Sequence, residues 1–126
     1  MSNIFVLLAM LFLHIIDDFV LQSFWLVNGK QKSWWEKNAP DKLYQHDYIA
    51  GLSMHAFSWS FMVMLPLAVL HGFNVGVLFA VAMLMNAAIH AVIDHVKANR
   101  KSINLIVDQT LHIVQILATW ILFVLV

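Results

Sequence analysis

Histidine and aspartate recur at a spacing of four residues in three parts of an otherwise apolar sequence. The pairs are His14 with Asp18, His90 with Asp94, and Asp108 with His112. Residues four apart share one face of an α-helix, so each pair would present an imidazole beside a carboxylate. Such a pair can fix a histidine tautomer, share a proton or bind a divalent metal ion. Spacing alone leaves these chemistries open.

Other polar residues extend the same helical faces. Gln22 follows Asp18 by four residues, and Gln109 follows Asp108 directly, whereas Asp17 is predicted to point elsewhere. The predicted metal ligands are His14, Asp18, His55, His90, Asp94 and His112. Gln22 and Gln109 are predicted to support the ligands. Asp108 and Lys97 are the predicted catalytic residues, with Asp108 as a general base and Lys97 placed to neutralise Asp94 or hold an anionic headgroup.

The composition indicates that membrane-spanning helices position these residues. Apolar residues make up 62% of the 126 residues and charged residues 11%, against about 45–50% and about 25% in soluble domains. Four stretches have the roughly 20 mostly apolar residues that a span needs: 4–27, 49–70, 73–96 and 103–126. The sequence therefore predicts one all-α domain over residues 1–126, an integral membrane bundle of about four transmembrane helices.

The cations predict how this bundle is oriented. All seven lysine and arginine residues lie in the connections 28–48 and 97–102. By the positive-inside rule these loops are cytoplasmic, so both termini lie outside. A short interfacial helix is predicted near residues 33–37. We expect a multi-pass protein of the bacterial inner membrane, with the lipid bilayer and a lipid substrate as partners. Equal numbers of cations and anions argue against nucleic acid as a partner.

The polar residues are predicted to lie at similar depths. At 1.5 Å per residue, the histidine and aspartate side chains of these motifs lie about 5–14 Å from the cytoplasmic ends of the spans, with His14 deepest at about 20 Å, so they overlap in the cytoplasmic half. The outer half is almost entirely apolar. An ionised aspartate inside the membrane costs about 2.5 kcal/mol or more, so several must be paired, neutralised or metal-bound. The sequence therefore predicts one polar pocket that opens toward the cytoplasm.

In order along the chain, four motifs resemble a bacterial and phage membrane-protein family catalogued as domain of unknown function 3307. They are His14-x3-Asp18-Phe19-x2-Gln22, then His55, then His90-x3-Asp94-x2-Lys97, then Asp108-Gln109-x2-His112. The resemblance implies that these positions define the family, and it implies no substrate or mechanism. The scattered ligands are also similar, by analogy alone, to membrane-embedded zinc hydrolases such as the ceramidase-like group.

Three functions fit these observations. The leading hypothesis is a membrane-embedded metal-dependent hydrolase that uses one or two divalent ions, with zinc favoured, on a lipid or amphipathic substrate. The first alternative is transport of protons or metal ions through a His/Asp relay, for which the apolar outer half would require a homo-oligomer interface or a path along small hydroxyls and Asn74. The second is a non-catalytic membrane factor, of phage or host origin, that binds a host membrane protein or partner subunit through its lipid-facing surface, while its His/Asp pairs only hold the helices together.

Overall fold

The computed structural model describes residues 2–126, and within this range the chain forms helices and no strands. The six α-helices are α1 (Asn3–Ile15), α2 (Phe24–Gly29), α3 (Lys32–Asn38), α4 (Asp47–Leu70), α5 (Val77–His95) and α6 (Leu105–Trp120). Within the described residues, four continuous helical segments are long and apolar enough to cross a membrane: Asn3–Leu21, Lys42–Leu70, Val77–Arg100 and Leu105–Leu125. The all-helical prediction and the number of candidate spans are confirmed.

The first segment ends earlier than the hydropathy predicts. The helix stops at Leu21, and Gln22 is extended, with a ψ of 108°. The hydroxyl of Ser23 then accepts a hydrogen bond from the backbone N–H of Leu26 at 3.3 Å and begins α2. A serine at this position satisfies an N–H group that has no partner within the helix, which favours a new start over continuation. The stretch predicted as one span over 4–27 is therefore two helices.

Three of the long segments finish in π-helical turns: Ile16–Leu21 after α1, Val96–Arg100 after α5 and Ile121–Leu125 after α6. In a π-helix the hydrogen bonds join residues five apart, and such turns occur frequently at functional sites. The first π-helical turn carries Asp17 and Asp18, and the second carries Lys97. These first two turns lie at the end of the bundle that carries the lysines of residues 30–42 and 97–101, which we call the lysine-rich end.

Helix α4 lies at the centre of the bundle and packs against α1, α2, α3 and α5. The half of the bundle away from the lysine-rich end is filled by apolar side chains. Its buried members are Val6, Met10, Trp59, Val63, Met64, Leu67, Ala68, Phe79 and Ile116. Large apolar residues also cover the outside of the helices, as in Phe12 at 61% exposure and Leu84 at 61%. Such an apolar exterior is typical of helices that face lipid.

Helices α5 and α6 are joined by side-chain amides. The Nε2 of Gln115 donates to the carbonyl oxygen and to the Oδ1 of Asn86, both at 2.8 Å, and Asn86 Nδ2 donates to Thr119 Oγ1 at 3.0 Å. Interhelical hydrogen bonds of this kind contribute about 0.6–2 kcal/mol each in membrane proteins. They hold α5 and α6 in register one turn from His90 and His112.

Helices α2 and α3 form an arm across the lysine-rich end. The short helix predicted near residues 33–37 is present as α3. Trp35 Nε1 donates to the carbonyl oxygen of Gly29 at 2.8 Å, and Asn99 Nδ2 donates to the carbonyl oxygen of Lys30 at 2.9 Å. The backbone of Lys30 is therefore held against the end of the α5 segment.

Candidate metal centre

The π-helical turn after α1 directs two adjacent aspartates into the bundle. Asp17 is 1% exposed, and its Oδ1 accepts a hydrogen bond from Ser58 Oγ on α4 at 2.6 Å. The Asp18 side chain is 8% exposed, and its Oδ1 lies 3.1 Å from His55 Nε2. Asp17, which the helical pattern predicts to point elsewhere, therefore faces the interior as well. Only the wider π-helical turn brings both carboxylates to α4.

Four ligand atoms, from the π-helical turn after α1 and from α4 and α5, lie close together. His55 Nε2 lies 3.1 Å from Asp18 Oδ1 and 3.5 Å from Asp94 Oδ2. His90 Nε2 lies 3.8 Å and 3.6 Å from the same two oxygens. In a tetrahedral zinc site with ligands at about 2.0–2.1 Å, neighbouring ligand atoms are roughly 3.4 Å apart. These four distances suit ligands of one divalent ion, and Asp18, His55 and His90 also form a group whose ligand atoms all lie within 4.8 Å of one another.

A second group adjoins the first and shares two of its residues. His90, Asp94 and His112 each offer an atom within 4.8 Å of the others. The two oxygens of Asp94 face different histidines, because Oδ1 lies 3.7 Å from His112 Nε2 while Oδ2 faces His55 and His90. Asp108 Oδ1 lies 3.3 Å from His112 Nε2 on its other side. The predicted ligands on α4, α5 and α6 therefore form one continuous cluster.

Several polar atoms of this cluster are buried without a hydrogen-bond partner. They are both ring nitrogens of His90, both ring nitrogens of His112, Oδ1 of Asp108 and Oδ2 of Asp17. A buried polar atom left unpaired costs about 1–3 kcal/mol, and native structures hold few of them. A metal ion would accept the lone pair of an imidazole nitrogen, so the donor set fits a bound cation.

The charges of the cluster also favour a bound cation. The buried Asp17, Asp94 and Asp108 meet here with Asp18, and two lysines pair with two of these carboxylates. Lys30 Nζ donates to Asp94 Oδ2 at 2.9 Å, and Lys97 Nζ donates to Asp108 Oδ2 at 3.1 Å. A divalent cation would offset part of the negative charge of the four carboxylates, which matters in an interior where an unpaired charge is costly.

His14 lies beside this cluster but makes different contacts. Its Nδ1 accepts a hydrogen bond from the indole Nε1 of Trp59 at 2.8 Å. Because an indole N–H only donates, the ring proton of His14 must be on Nε2, which lies 2.9 Å from Gln109 Oε1. Both nitrogens are thereby engaged, and His14 belongs to neither metal-sized group. His14, a predicted ligand, therefore lies next to the candidate metal site and is not among the atoms that could hold the ion.

Gln109 and Gln22 both contact the cluster. With its Oε1 turned to His14, Gln109 donates through Nε2 to Asp108 Oδ2 at 3.0 Å and to Asp18 Oδ2 at 3.3 Å. A chain of hydrogen bonds thus runs from Trp59 through His14 and Gln109 to two carboxylates. Gln22 Nε2 lies 3.1 Å from His55 Nε2.

Comparison with known proteins gives a family. A family model described as protein of unknown function (DUF3307) matches residues 6–126. The chain belongs to this family. No curated protein and no solved structure matches it. The resemblance read from the motifs is confirmed, and the matched range holds every residue of the cluster in this DUF3307 protein.

Sequence reasoning missed three residues of the DUF3307 centre. Asp17 is an ionisable residue inside a span, a signal that favours function. Trp59 forms one wall, with its ring stacked on that of His90 at a centroid distance of 4.2 Å. Lys30 pairs with Asp94, and no local pattern links these two residues because 64 positions separate them. The helical pattern predicted that Lys97 could neutralise Asp94, whereas in the structure Lys97 pairs with Asp108.

Replacing Trp59 by phenylalanine tests the hydrogen bond that orients His14. The smaller ring keeps an aromatic wall but removes the N–H donor, so Nδ1 of a buried histidine loses its partner. We expect the free energy of unfolding to fall by about 1–3 kcal/mol, measured by thermal unfolding in detergent. The matched change Trp25→Phe, at a ring that is 67% exposed, should have little effect. Equal stability of the two variants would contradict this role of Trp59.

The centre of the DUF3307 protein opens at the lysine-rich end. A cavity of about 30 Å³ lies against Asp18, Asp94 and Asp108, which is large enough for a water molecule. It shares Gln22, Lys30, Asp94 and Lys97 with a cleft of about 350 Å³ that also reaches Gln31 and Lys101. In the other direction the centre meets Trp59 and the apolar core. Access is therefore from one side.

Proposed function

We propose that this protein is a membrane-embedded metal-dependent hydrolase that acts on a lipid or amphipathic substrate. The observation that carries the proposal is the convergence of His55, His90, Asp18 and Asp94 at metal-ligand spacing inside the bundle. The His90 ring nitrogen Nε2, which has no hydrogen-bond partner, and the carboxylates that surround the histidines support it. Nitrogen and oxygen ligands in a tetrahedral arrangement favour zinc.

In this proposal Asp18, His55, His90 and Asp94 hold the ion. Asp17 Oδ2 lies 3.7 Å from His55 Nδ1, on the side of the ring away from the ligand atom. A carboxylate behind a metal-bound imidazole is a common means of orienting it. His14 orients Gln109, which in turn fixes one oxygen of Asp18. The bound ion would act as a Lewis acid and would lower the pKa of a water molecule that it takes as an additional ligand.

Asp108 is the general base in this proposal. Lys97 and Gln109 both donate to its Oδ2, which leaves Oδ1 without a hydrogen-bond partner. The same carboxylate lines the cavity of about 30 Å³. Oδ1 would accept a proton from a water molecule in this cavity, and His112, 3.3 Å away, would take part in the proton transfer. Lys97 holds Asp108 in position and keeps it charged.

One-sided access supports an enzyme over a transporter. A proton or ion pathway needs polar groups along the whole membrane. Beyond the buried polar residues Ser60, Asn86, Gln115 and Thr119, the core away from the lysine-rich end is apolar. The side that opens carries the lysines, so the positive-inside rule assigns it to the cytoplasm of a bacterial cell, with the protein in the inner membrane. The proposed ion would bind His90 Nε2, whereas a purely structural role leaves this buried nitrogen without a partner.

Metal content is the first test. Elemental mass spectrometry on the detergent-purified protein should find one zinc ion per chain after loading and desalting. His90→Ala should lose most of this metal, while His71→Ala, an exposed histidine outside the cluster, should retain it. A folded wild-type protein that takes up no zinc would exclude the proposal.

A screen of ester, amide and phosphoester lipids then tests hydrolysis itself. We expect turnover that a chelator abolishes and added zinc restores. Asp108→Asn should lower turnover by about 10²–10⁴-fold, as for loss of a general base, while it keeps the bound metal. Turnover that survives complete removal of the metal would contradict the mechanism.

A further inference from the structure

Lys30 occupies an unusual place for a loop lysine. Its side chain is 13% exposed, and its Nζ lies 2.9 Å from Asp94 Oδ2. The backbone around it is held on both sides, because Asn99 accepts from the N–H of Lys32 and donates to the carbonyl oxygen of Lys30. The side chain has four rotatable methylene groups, so the ammonium can move while the backbone stays fixed.

The oxygen that Lys30 contacts is also one of the four converging ligand atoms. Asp94 Oδ2 lies 3.5 Å from His55 Nε2 and 3.6 Å from His90 Nε2. A divalent ion among these atoms would stand within a few ångströms of the ammonium, and two positive charges repel strongly in a poorly solvated interior. Lys30 and the ion therefore compete for the same carboxylate.

The cleft above the centre offers the displaced ammonium a new position. Lys30, Lys97 and Lys101 all line this cleft of about 350 Å³. The Lys97 side chain is 38% exposed, and Lys101 is exposed just after the π-helical turn. Gln22 and Gln31 add amide groups to the lining. Once the carboxylates are neutralised by an ion, three lysines around one cleft favour an anion.

The anion that suits this cleft best is a phosphate group. Lysine ammonium groups commonly bind phosphate as point charges. The cleft lies on the same arm as Trp25 and Trp34, and Trp25 is 67% exposed. Tryptophan is enriched at the depth of lipid headgroups. A phosphate on a lipid headgroup and a soluble phosphate share this chemistry.

We propose that Lys30 holds Asp94 in the metal-free protein, and that a bound divalent ion releases Lys30 to bind, with Lys97 and Lys101, a phosphate group in the cleft. This inference rests on the proposed metal site and names the substrate class as phosphate-bearing amphiphiles. Coupling between two ligands is reciprocal. Metal therefore raises the affinity for phosphate, and phosphate raises the affinity for metal.

Isothermal titration with inorganic phosphate tests the coupling. The protein is placed in phosphatidylcholine nanodiscs and titrated both zinc-loaded and zinc-stripped, with zinc content measured separately. We expect phosphate to bind about tenfold more tightly to the loaded form, within the usual range of coupling between sites. In a second arm, phosphatidic acid replaces part of the phosphatidylcholine. Competition with inorganic phosphate would identify the headgroup as the source, and absence of competition would identify soluble phosphate.

Lys30→Gln gives a signature that a purely structural lysine would not produce. Zinc should bind about tenfold more tightly because its competitor is gone, and phosphate should bind about tenfold more weakly to the loaded form. The control Lys37→Gln, an exposed lysine on α3, should change neither affinity. The variant also separates lysine binding from direct coordination of phosphate by zinc, which would survive the substitution.

Two results would overturn the inference. The first is equal affinity for phosphate with and without zinc, and the second is a Lys30→Gln variant whose zinc affinity is unchanged or lower. Zinc bound at full stoichiometry with either result would refute the coupling and leave the metal site standing. A wild-type protein that binds no zinc would refute both.

Discussion

Replacing Asp94 by asparagine should lower the affinity for zinc by at least about 100-fold. His55, His90 and His112 all face the carboxylate of Asp94. Asp94 also forms a metal-sized group with His90 on α5 and His112 on α6. Loss of a residue that only supports a ligand typically costs 10–100-fold in affinity, so loss of a ligand should cost more. Competition with a chromophoric chelator measures the change.

The size and polarity of asparagine make this substitution specific. It keeps the shape of the side chain and removes its charge, and Lys30, which loses its partner, can reach solvent through the cleft. Glu36→Gln is the matched control, because Glu36 is an exposed carboxylate whose closest cation is Lys32 at 4.0 Å. A folded Asp94→Asn variant that binds zinc like the wild type would exclude Asp94 as a ligand.

Replacing Gly51 by alanine should displace the arm that carries Lys30. A Cβ at Gly51 would lie 2.5 Å from the carbonyl oxygen of Gly29, 2.7 Å from its carbonyl carbon and 3.0 Å from the backbone nitrogen of Lys30. All three atoms belong to the backbone, so no side-chain rotation can relieve the clash. Small residues permit close approach of helices in membrane proteins, and α2 meets α4 through such a contact.

We expect Gly51→Ala to lower the free energy of unfolding by about 1–3 kcal/mol or more, as for other overpacked sites. Lys30 follows Gly29 directly, so its pairing with Asp94 should also be lost. Thermal unfolding in detergent measures the first effect, and zinc affinity measures the second. Gly76→Ala is the control, because a Cβ there meets nothing within 4 Å and its φ of −113° suits alanine. Identical unfolding of both variants would show that α2 can move away from α4 at no cost.

Local patterns in the sequence were sufficient to predict most of the helices. Helices that span a membrane need length and apolar composition, and both are properties of a window of adjacent residues. The last three spans were therefore predicted close to where the structure has them. The first was predicted too long, because Phe24, Trp25 and Val27 are as apolar as a span but lie on the exposed surface of α2. The capping serine at position 23 was the only local sign of the break.

The sequence by itself determined which residues could meet. Helical periodicity aligns His90 with Asp94 and Asp108 with His112. Because a buried charge is costly, these aspartates also require partners. Only the tertiary structure decided how they meet. The π-helical turn brought Asp17 inward, Trp59 engaged the free nitrogen of His14, and the close contact at Gly51 delivered Lys30 to Asp94. These outcomes depend on contacts between distant segments, whose geometry follows from the packing of the whole bundle and not from any local repeat.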